Sequence, residues 1–85
     1  MTNGGIVPFG RAANRSAHYL RLTRVGLGLS RAQAAELAGC TAQTIGRYER
    51  QGISPNVRYR RVERLCSAYG ISIEHLRSLM AQPAE

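Results

Sequence analysis

One short stretch of this chain carries side chains that could recognise a nucleic acid: GCTAQTIGRYERQG, residues 39–52. In a helix, Gln43, Arg47 and Arg50 would share one side, because they are spaced by four and three residues. Ile45 falls on the opposite side and marks the inward face. A Gln side chain can pair bidentately with adenine and an Arg side chain with guanine, and the major groove of DNA admits one helix. The stretch therefore predicts a helix that contacts base edges.

The charge of the chain fits a polyanionic partner. The formal net charge is +7, and all twelve basic residues are Arg. A small, strongly basic domain indicates DNA, RNA or an acidic membrane surface as partner. An Arg-rich surface from a GC-rich genome is the alternative, and composition alone does not separate the two. The 85 residues suffice for a small core but not for a deep catalytic cleft, so we expect no enzyme.

The helix boundaries can be predicted from capping residues and periodicity. The first helix begins at Ser16 and ends at Gly26 and Gly28. Its inward residues recur at steps of three and four: Ala17, Leu20, Arg24 and Leu27. Ser30 is a good N-cap for the second helix, RAQAAELA, which Gly39 ends. Thr41 caps the third helix, which runs to about Arg50.

Two further helices are predicted after the loop QGISPNV. Ser54 as N-cap and Pro55 as first helical residue start the fourth helix, which ends at Gly70. Ser72 caps the fifth. Their inward residues are Val57, Val62, Leu65 and Cys66, and then Ile73, Leu76 and Met80. No alternating apolar run indicates a strand, so the predicted fold is all-α with five helices.

The chain ends are expected to lie outside this domain. Residues 1–15 hold three of the nine glycines and carry Arg11 and Arg15. This composition predicts a flexible N-terminal arm, with a frayed terminus that has no role as the alternative. The domain then spans residues 16–81 and a short tail spans 82–85.

No metal, cofactor or membrane segment is expected. Cys40 and Cys66 are too few for a disulfide framework and lack zinc spacing, so both are predicted to be small core residues in a reducing cytoplasm. His18 and His75 have no partner pattern for metal binding or catalysis. The first residues do not resemble a signal peptide, and no apolar run reaches membrane-spanning length.

From Leu20 to Leu79 the chain resembles the XRE family of Cro/CI-type helix-turn-helix regulators. The matching landmarks are GLS at 28–30, AAELAG at 34–39, TAQTIGRYE at 41–49, Gly52 and Pro55 of the loop, and GISIEHL at 70–76. The resemblance implies five packed helices of lambda-repressor-like fold. It also implies binding to double-stranded DNA, usually by a two-fold dimer on palindromic operators.

The resemblance also implies roles for particular residues. Those expected to face the bases are Ala42, Gln43 and Arg47. Those expected to approach phosphates are Arg31, Thr44, Arg50, Ser54, Asn56 and Arg58. Arg24 and Glu49 occupy positions that form a buried ion pair in family members. Three further basic residues lie in the fourth helix, Arg60, Arg61 and Arg64. They either contact phosphates or form a solvated face, and the second interpretation is favoured.

The expected function is that of a dimeric transcriptional repressor or autoregulator of phage or bacterial type, with no small-molecule effector. The dimer interface is predicted at Leu76, Leu79 and Met80, because no later element covers these apolar residues. The alternative is a protein-interaction module or antitoxin whose DNA binding is secondary to binding a partner protein. Gly46 either lets the helix backbone approach DNA closely or is a tolerated defect.

Overall fold

Five α-helices make up most of residues 13–84, which are the residues that this computed structural model describes. They are α1 (Ser16–Gly26), α2 (Arg31–Ala38), α3 (Ala42–Gln51), α4 (Tyr59–Tyr69) and α5 (Ile73–Met80). Extended pairing within these residues is limited to one isolated bridge between Asn14 and Pro83. The all-α prediction is therefore confirmed. None of the five helices is long and apolar enough to cross a membrane.

Local capping explains three of the helix starts. At α2, the Gln33 N–H donates to Ser30 Oγ at 3.0 Å, and the Ser30 N–H donates to Gln33 Oε1 at 2.8 Å. This reciprocal capping box satisfies two backbone donors at once. Thr41 and Ser72 accept in the same way from the third residues of α3 and α5. The predicted N-caps of these helices are therefore confirmed.

The predicted start of α4 was wrong. The helix begins at Tyr59, four residues after Pro55, and its N-cap makes no side-chain hydrogen bond. Residues 54–57 instead form a turn, in which the Val57 N–H donates to the Ser54 carbonyl oxygen at 3.0 Å. Ser54 Oγ accepts from the Asn56 N–H at 3.2 Å. Pro suits the second position of such a turn as well as the start of a helix, so the same residues serve either structure.

The core forms where the five helices meet. Its largest fully buried apolar side chains are Leu20, Ile45, Ile53, Val62, Leu65 and Leu76. On α2 the buried face consists of three alanines, Ala34, Ala35 and Ala38, whose small side chains allow α3 and α4 to pack closely on it. The prediction that Leu27 faces inward was wrong, because α1 ends at Gly26 and Leu27 is half exposed.

The expected arm is attached to the domain by its last residues. The Ala13 N–H donates to the Gln51 carbonyl oxygen at 2.7 Å, and the Arg15 N–H donates to the Gln82 carbonyl oxygen at 3.0 Å. Asn14 is buried. Residues 13–15 and 82–84 therefore contact one another, and Ala13 is bonded to the last residue of α3, so these flanking segments pack against the helical domain. Residues 1–12 of the predicted arm, including Arg11, lie outside the described residues, as does Glu85 at the end of the predicted tail.

A buried polar network connects this N-terminal segment to the end of α3. Asn14 Nδ2 donates to the Ile53 carbonyl oxygen at 2.8 Å, and Asn14 Oδ1 accepts from the Ser16 N–H at 3.0 Å. Ser16 Oγ in turn accepts from the Ile53 N–H at 2.9 Å. The network passes over Gly52, whose φ of 89° lies in the region that favours glycine. A Cβ atom there would lie 2.8 Å from Asn14 Cγ, so this close approach requires glycine.

Candidate nucleic-acid interface

The pair α2 and α3 is joined by a tight turn. Gly39 has a φ of 74°, and the Cys40 N–H donates to the Ala35 carbonyl oxygen at 3.0 Å. This left-handed C-cap ends α2 and redirects the chain, so that Thr41 can start α3 two residues later. The result is a helix-turn-helix, a motif whose second helix typically contacts the major groove in DNA-binding proteins.

The faces of α3 are strongly different. Ile45, Tyr48 and Glu49 are buried against the rest of the domain. Ala42, Gln43, Arg47 and Arg50 are exposed. Gln43 and Arg47 are one helical turn apart, so their side chains project to the same side. The structure therefore places two side chains with hydrogen-bonding capacity on the exposed side of the second helix.

Glu49 links α3 to α1 and to the start of α2. Its carboxylate accepts two hydrogen bonds from Arg24, with Nε–Oε2 at 2.5 Å and Nη2–Oε1 at 3.1 Å. The Glu49 side chain is only 2% exposed. Arg24 also donates through Nη1 to the Leu29 carbonyl oxygen at 2.8 Å. The ion pair that the resemblance implied is thus present, and the hydrogen bond to Glu49 raises the pKa of Arg24 above its ordinary value.

Arg31, which was expected to contact phosphate, also lies beside two residues of α3, Glu49 and Gly46. Its Nε lies 3.3 Å from Glu49 Oε1, although the side chain remains 49% exposed. Arg31 and Arg50 also cover Gly46: a Cβ atom at Gly46 would lie 3.3 Å from Arg50 Nη1 and 3.9 Å from Arg31 Cδ. The space beside Gly46 is therefore filled by two Arg side chains. This packing is a third explanation for the glycine, beside close approach to DNA and a tolerated defect.

A groove of about 500 Å³ lies between α3 and the start of α4. It brings Arg47 together with three residues expected near phosphates, which are Ser54, Asn56 and Arg58. Thr44, also expected near phosphate, lies at the start of α3, where its Oγ1 accepts from Thr41 Oγ1 at 3.0 Å. Arg61 lines the groove too, although the sequence analysis favoured a solvated face for it. The only feature of the sequence that indicated a place for Arg61 near phosphates was the density of Arg residues at 58–64.

The predicted dimer interface is mostly core. Leu76 is 0% exposed and Met80 is 6% exposed, so neither offers surface to a partner. Both side chains belong to the hydrophobic core of the domain, which agrees with the inward periodicity of α5 and not with a place in a dimer interface. Leu79 is partly exposed and lines a separate groove of about 480 Å³ between α1 and α5. Leu22 lines the same groove and is 57% exposed. As an apolar residue outside the inward stripe of the first helix, it could have been noticed in the sequence.

These features define a helix-turn-helix DNA-binding protein, and the comparisons agree. A family model described as a helix-turn-helix domain matches residues 16–79, so the chain belongs to this family. The structure of the restriction-modification controller protein C.AhdI from Aeromonas hydrophila is similar, with a TM-score of 0.64 and 29% identity, covering 73% of this chain and 91% of that one. A hypothetical transcription factor, NHTF from Neisseria, has a TM-score of 0.63 and 25% identity, covering 80% and 70%. No curated protein sequence matches the chain.

Proposed function

We propose that this protein is a sequence-specific, dimeric transcriptional repressor or autoregulator of phage or bacterial type. In this proposal α3 lies in the major groove of each half of a palindromic operator. The observation that carries it is the contrast between the two faces of α3, with Gln43 and Arg47 exposed and Glu49 buried. The similarity to a restriction-modification controller and to a transcription factor supports the regulatory role. Such a protein binds rather than catalyses and works in the cytoplasm, at the nucleoid.

Base recognition is assigned to the exposed side of α3. Gln43 and Arg47 are proposed to contact adenine and guanine edges, and Ala42 to contact a thymine methyl group. The residues proposed to bind phosphates around them are Arg31, Thr44, Arg50, Ser54, Asn56 and Arg58. Phosphate contacts set the register of the helix, whereas base contacts select the sequence.

The test is competition between the operator and a random duplex. If Gln43 contacts a base, Gln43→Ala should weaken operator binding by about 1–3 kcal/mol and leave binding to random DNA nearly unchanged. Arg47→Ala should also relax base preference at one position in each half-site. Arg21→Ala is the matched control for charge, because Arg21 is exposed on α1 and lies in neither groove. Equal losses on both DNAs for Gln43→Ala would show that α3 does not select the sequence.

Dimerisation is proposed through the groove between α1 and α5, with a second copy of the chain as occupant. Leu22 and Val25 are both more than half exposed and lie three residues apart on α1. In a two-fold dimer the same apolar patch meets itself. This groove shares no lining residue with the groove beside α3, so a second copy here leaves α3 free. Two copies of α3 would then contact successive major grooves about 34 Å apart.

Sedimentation with matched variants tests the dimer. The wild-type protein should be a dimer at micromolar concentration, and Leu22→Glu should be a monomer. Leu37→Glu is the control, because Leu37 is as exposed as Leu22 but lies on α2, away from the groove. A Leu22→Glu variant that remains dimeric would place the interface elsewhere. If the wild-type protein is a monomer and a different protein binds in this apolar groove, the alternative function of a protein-interaction module or antitoxin is favoured.

A further inference from the structure

The start of α4 carries a dense group of positive charges that base recognition does not require. Four side chains make up what we name the α4 arginine cluster: Arg58, Arg60, Arg61 and Arg64. Together with Ala38 and Gly39 they line a small pocket of about 120 Å³ at the C-terminal end of α2. The fold therefore brings the cluster to the turn of the helix-turn-helix.

Two members of the cluster lie close to this turn. A Cβ atom added at Gly39 would lie 2.7 Å from Arg64 Nη2 and 2.9 Å from Arg64 Cζ, so the guanidinium packs on the backbone of the turn. Arg61 affects the neighbouring thiol of Cys40. Burial raises the pKa of this thiol, and the positive charge of Arg61 opposes that rise. Arg61 and Arg64 thus lie beside the element that positions α3.

The cluster is continuous with the groove beside α3. Arg58 and Arg61 line both this groove and the small pocket at Gly39. Guanidinium groups therefore extend from Arg47 on α3, through Arg58 and Arg61, to Arg64. An elongated series of positive charges matches the regular spacing of phosphates along a nucleic-acid backbone better than it matches a single small anion.

Within residues 13–84 no member of the cluster forms an ion pair with a carboxylate. The ion pairs found there join Glu49 to Arg24 and to Arg31, and neither includes a member of the cluster. Like charges that lie close together repel one another, and this repulsion destabilises the folded state. A bound polyanion would remove the repulsion and release counterions from the DNA.

We propose that the α4 arginine cluster is a second phosphate-binding surface, on which Arg61 and Arg64 bind the phosphodiester backbone beside the half-site contacted by α3. The inference rests on the proposed DNA binding and adds contacts outside the residues that the family resemblance implies. Phosphate contacts carry no sequence information of their own. The surface should therefore strengthen binding to operator and random DNA to the same degree.

The salt dependence of binding to a random duplex tests this surface. Each phosphate contact contributes about 0.9 to the slope of log K against log salt concentration. Arg61→Ala and Arg64→Ala should therefore each flatten the slope by about one unit. Between about 50 and 200 mM salt, each variant should lose about 3.5-fold less affinity than the wild-type protein. Arg21→Ala removes the same charge from α1 and should leave the slope nearly unchanged.

Lysine variants and melting temperatures separate charge from packing. Lys retains a point charge that can bind phosphate, so Arg61→Lys and Arg64→Lys should restore the wild-type slope. If Arg64 only packs on Gly39, Arg64→Ala should lower the melting temperature without changing the slope, and that outcome would contradict the proposed role of Arg64. Arg61→Ala then gives an independent test, because Arg61 also lines the groove beside α3.

The possible results distinguish this inference from the proposed function. If both Arg→Ala variants keep the slope of Arg21→Ala while the wild-type protein binds DNA, the second surface is refuted and α3 remains the contact element. If the slopes flatten but Gln43→Ala affects all DNAs alike, the second surface stands and base recognition by α3 fails. If the wild-type protein binds no duplex, both proposals fail.

Discussion

Replacing Gly52 with Ala is expected to destabilise the domain strongly, because two unfavourable effects coincide at this residue. Gly52 has φ 89° and ψ 168°, a backbone conformation that is essentially restricted to glycine. Holding another residue there costs about 1–3 kcal/mol. In addition, the new Cβ atom would collide with the side chain of Asn14, lying 2.8 Å from its Cγ, and would lie 3.1 Å from Ser16 Oγ.

The collision cannot be relieved by a simple side-chain movement. Asn14 is buried and donates to the Ile53 carbonyl oxygen at 2.8 Å, while its Oδ1 accepts from Ser16 Oγ at 2.5 Å. Moving Asn14 away would leave buried polar groups without partners, at a cost of about 1–3 kcal/mol. The two effects together predict a loss of about 2–6 kcal/mol in the free energy of unfolding. Small domains have only about 5–15 kcal/mol in total.

Urea unfolding followed by circular dichroism measures this loss, and Gly70→Ala is the matched control. Gly70 also has a positive φ, 67°, but a Cβ atom there would meet nothing within 4 Å. The control should therefore cost only the backbone strain, about 1–2 kcal/mol. In an Asn14→Ala background, Gly52→Ala should cost less than in the wild-type protein, because the colliding side chain is gone. Equal costs for Gly52→Ala and Gly70→Ala, with no coupling to Asn14, would refute this account of the network.

Three further substitutions test other parts of the structure. Glu49→Ala leaves the Arg24 guanidinium without its carboxylate and should lower the free energy of unfolding by about 3–5 kcal/mol in urea titrations, whereas Glu63→Ala, on the exposed side of α4, should have little effect. Gly46→Ala should raise the free energy of unfolding by up to about 1 kcal/mol through helix propensity, and with it the melting temperature, if the side chain of Arg50 moves aside; a lower melting temperature would show that it cannot. Burial raises the pKa of Tyr69 to about 12 from an ordinary value of 10.0, so the folded state holds this proton more tightly than the unfolded state. Stability should therefore fall as pH rises from 10.0 to about 12, and Tyr69→Phe should remove this part of the alkaline loss in unfolding titrations across that range.

Much of the helical architecture followed from short stretches of sequence. The caps at Ser30, Thr41 and Ser72 act on backbone groups within three residues, and Gly39 ends α2 through its own φ. Interactions of this range do not depend on the rest of the fold. The phase of α3 was predictable for a related reason, because a period of 3.6 residues separates the polar side from Ile45 whatever packs against it.

The start of α4 shows where local patterns are ambiguous. Ser54 and Pro55 are suited to begin a helix, yet they form a turn, and the helix begins at Tyr59. Both conformations satisfy the same local preferences, so packing of the loop residue Ile53 into the core and its hydrogen bonds to Asn14 and Ser16 favour the turn. Those hydrogen bonds join residues 37 and 39 positions apart.

Local sequence patterns were enough to predict five helices, to join α2 and α3 as a helix-turn-helix, and to place Gln43 and Arg47 opposite Ile45, because each of these features depends on neighbours within one or two helical turns. The packing of distant segments was needed to show that Leu76 and Met80, which the periodicity of α5 places inward, are too fully covered to form a dimer surface, and that Asn14 is buried beside Gly52. It also decided that Arg64 lies on Gly39. These outcomes depend on which distant segments pack together, and an apolar stripe or an Arg residue does not specify its partner.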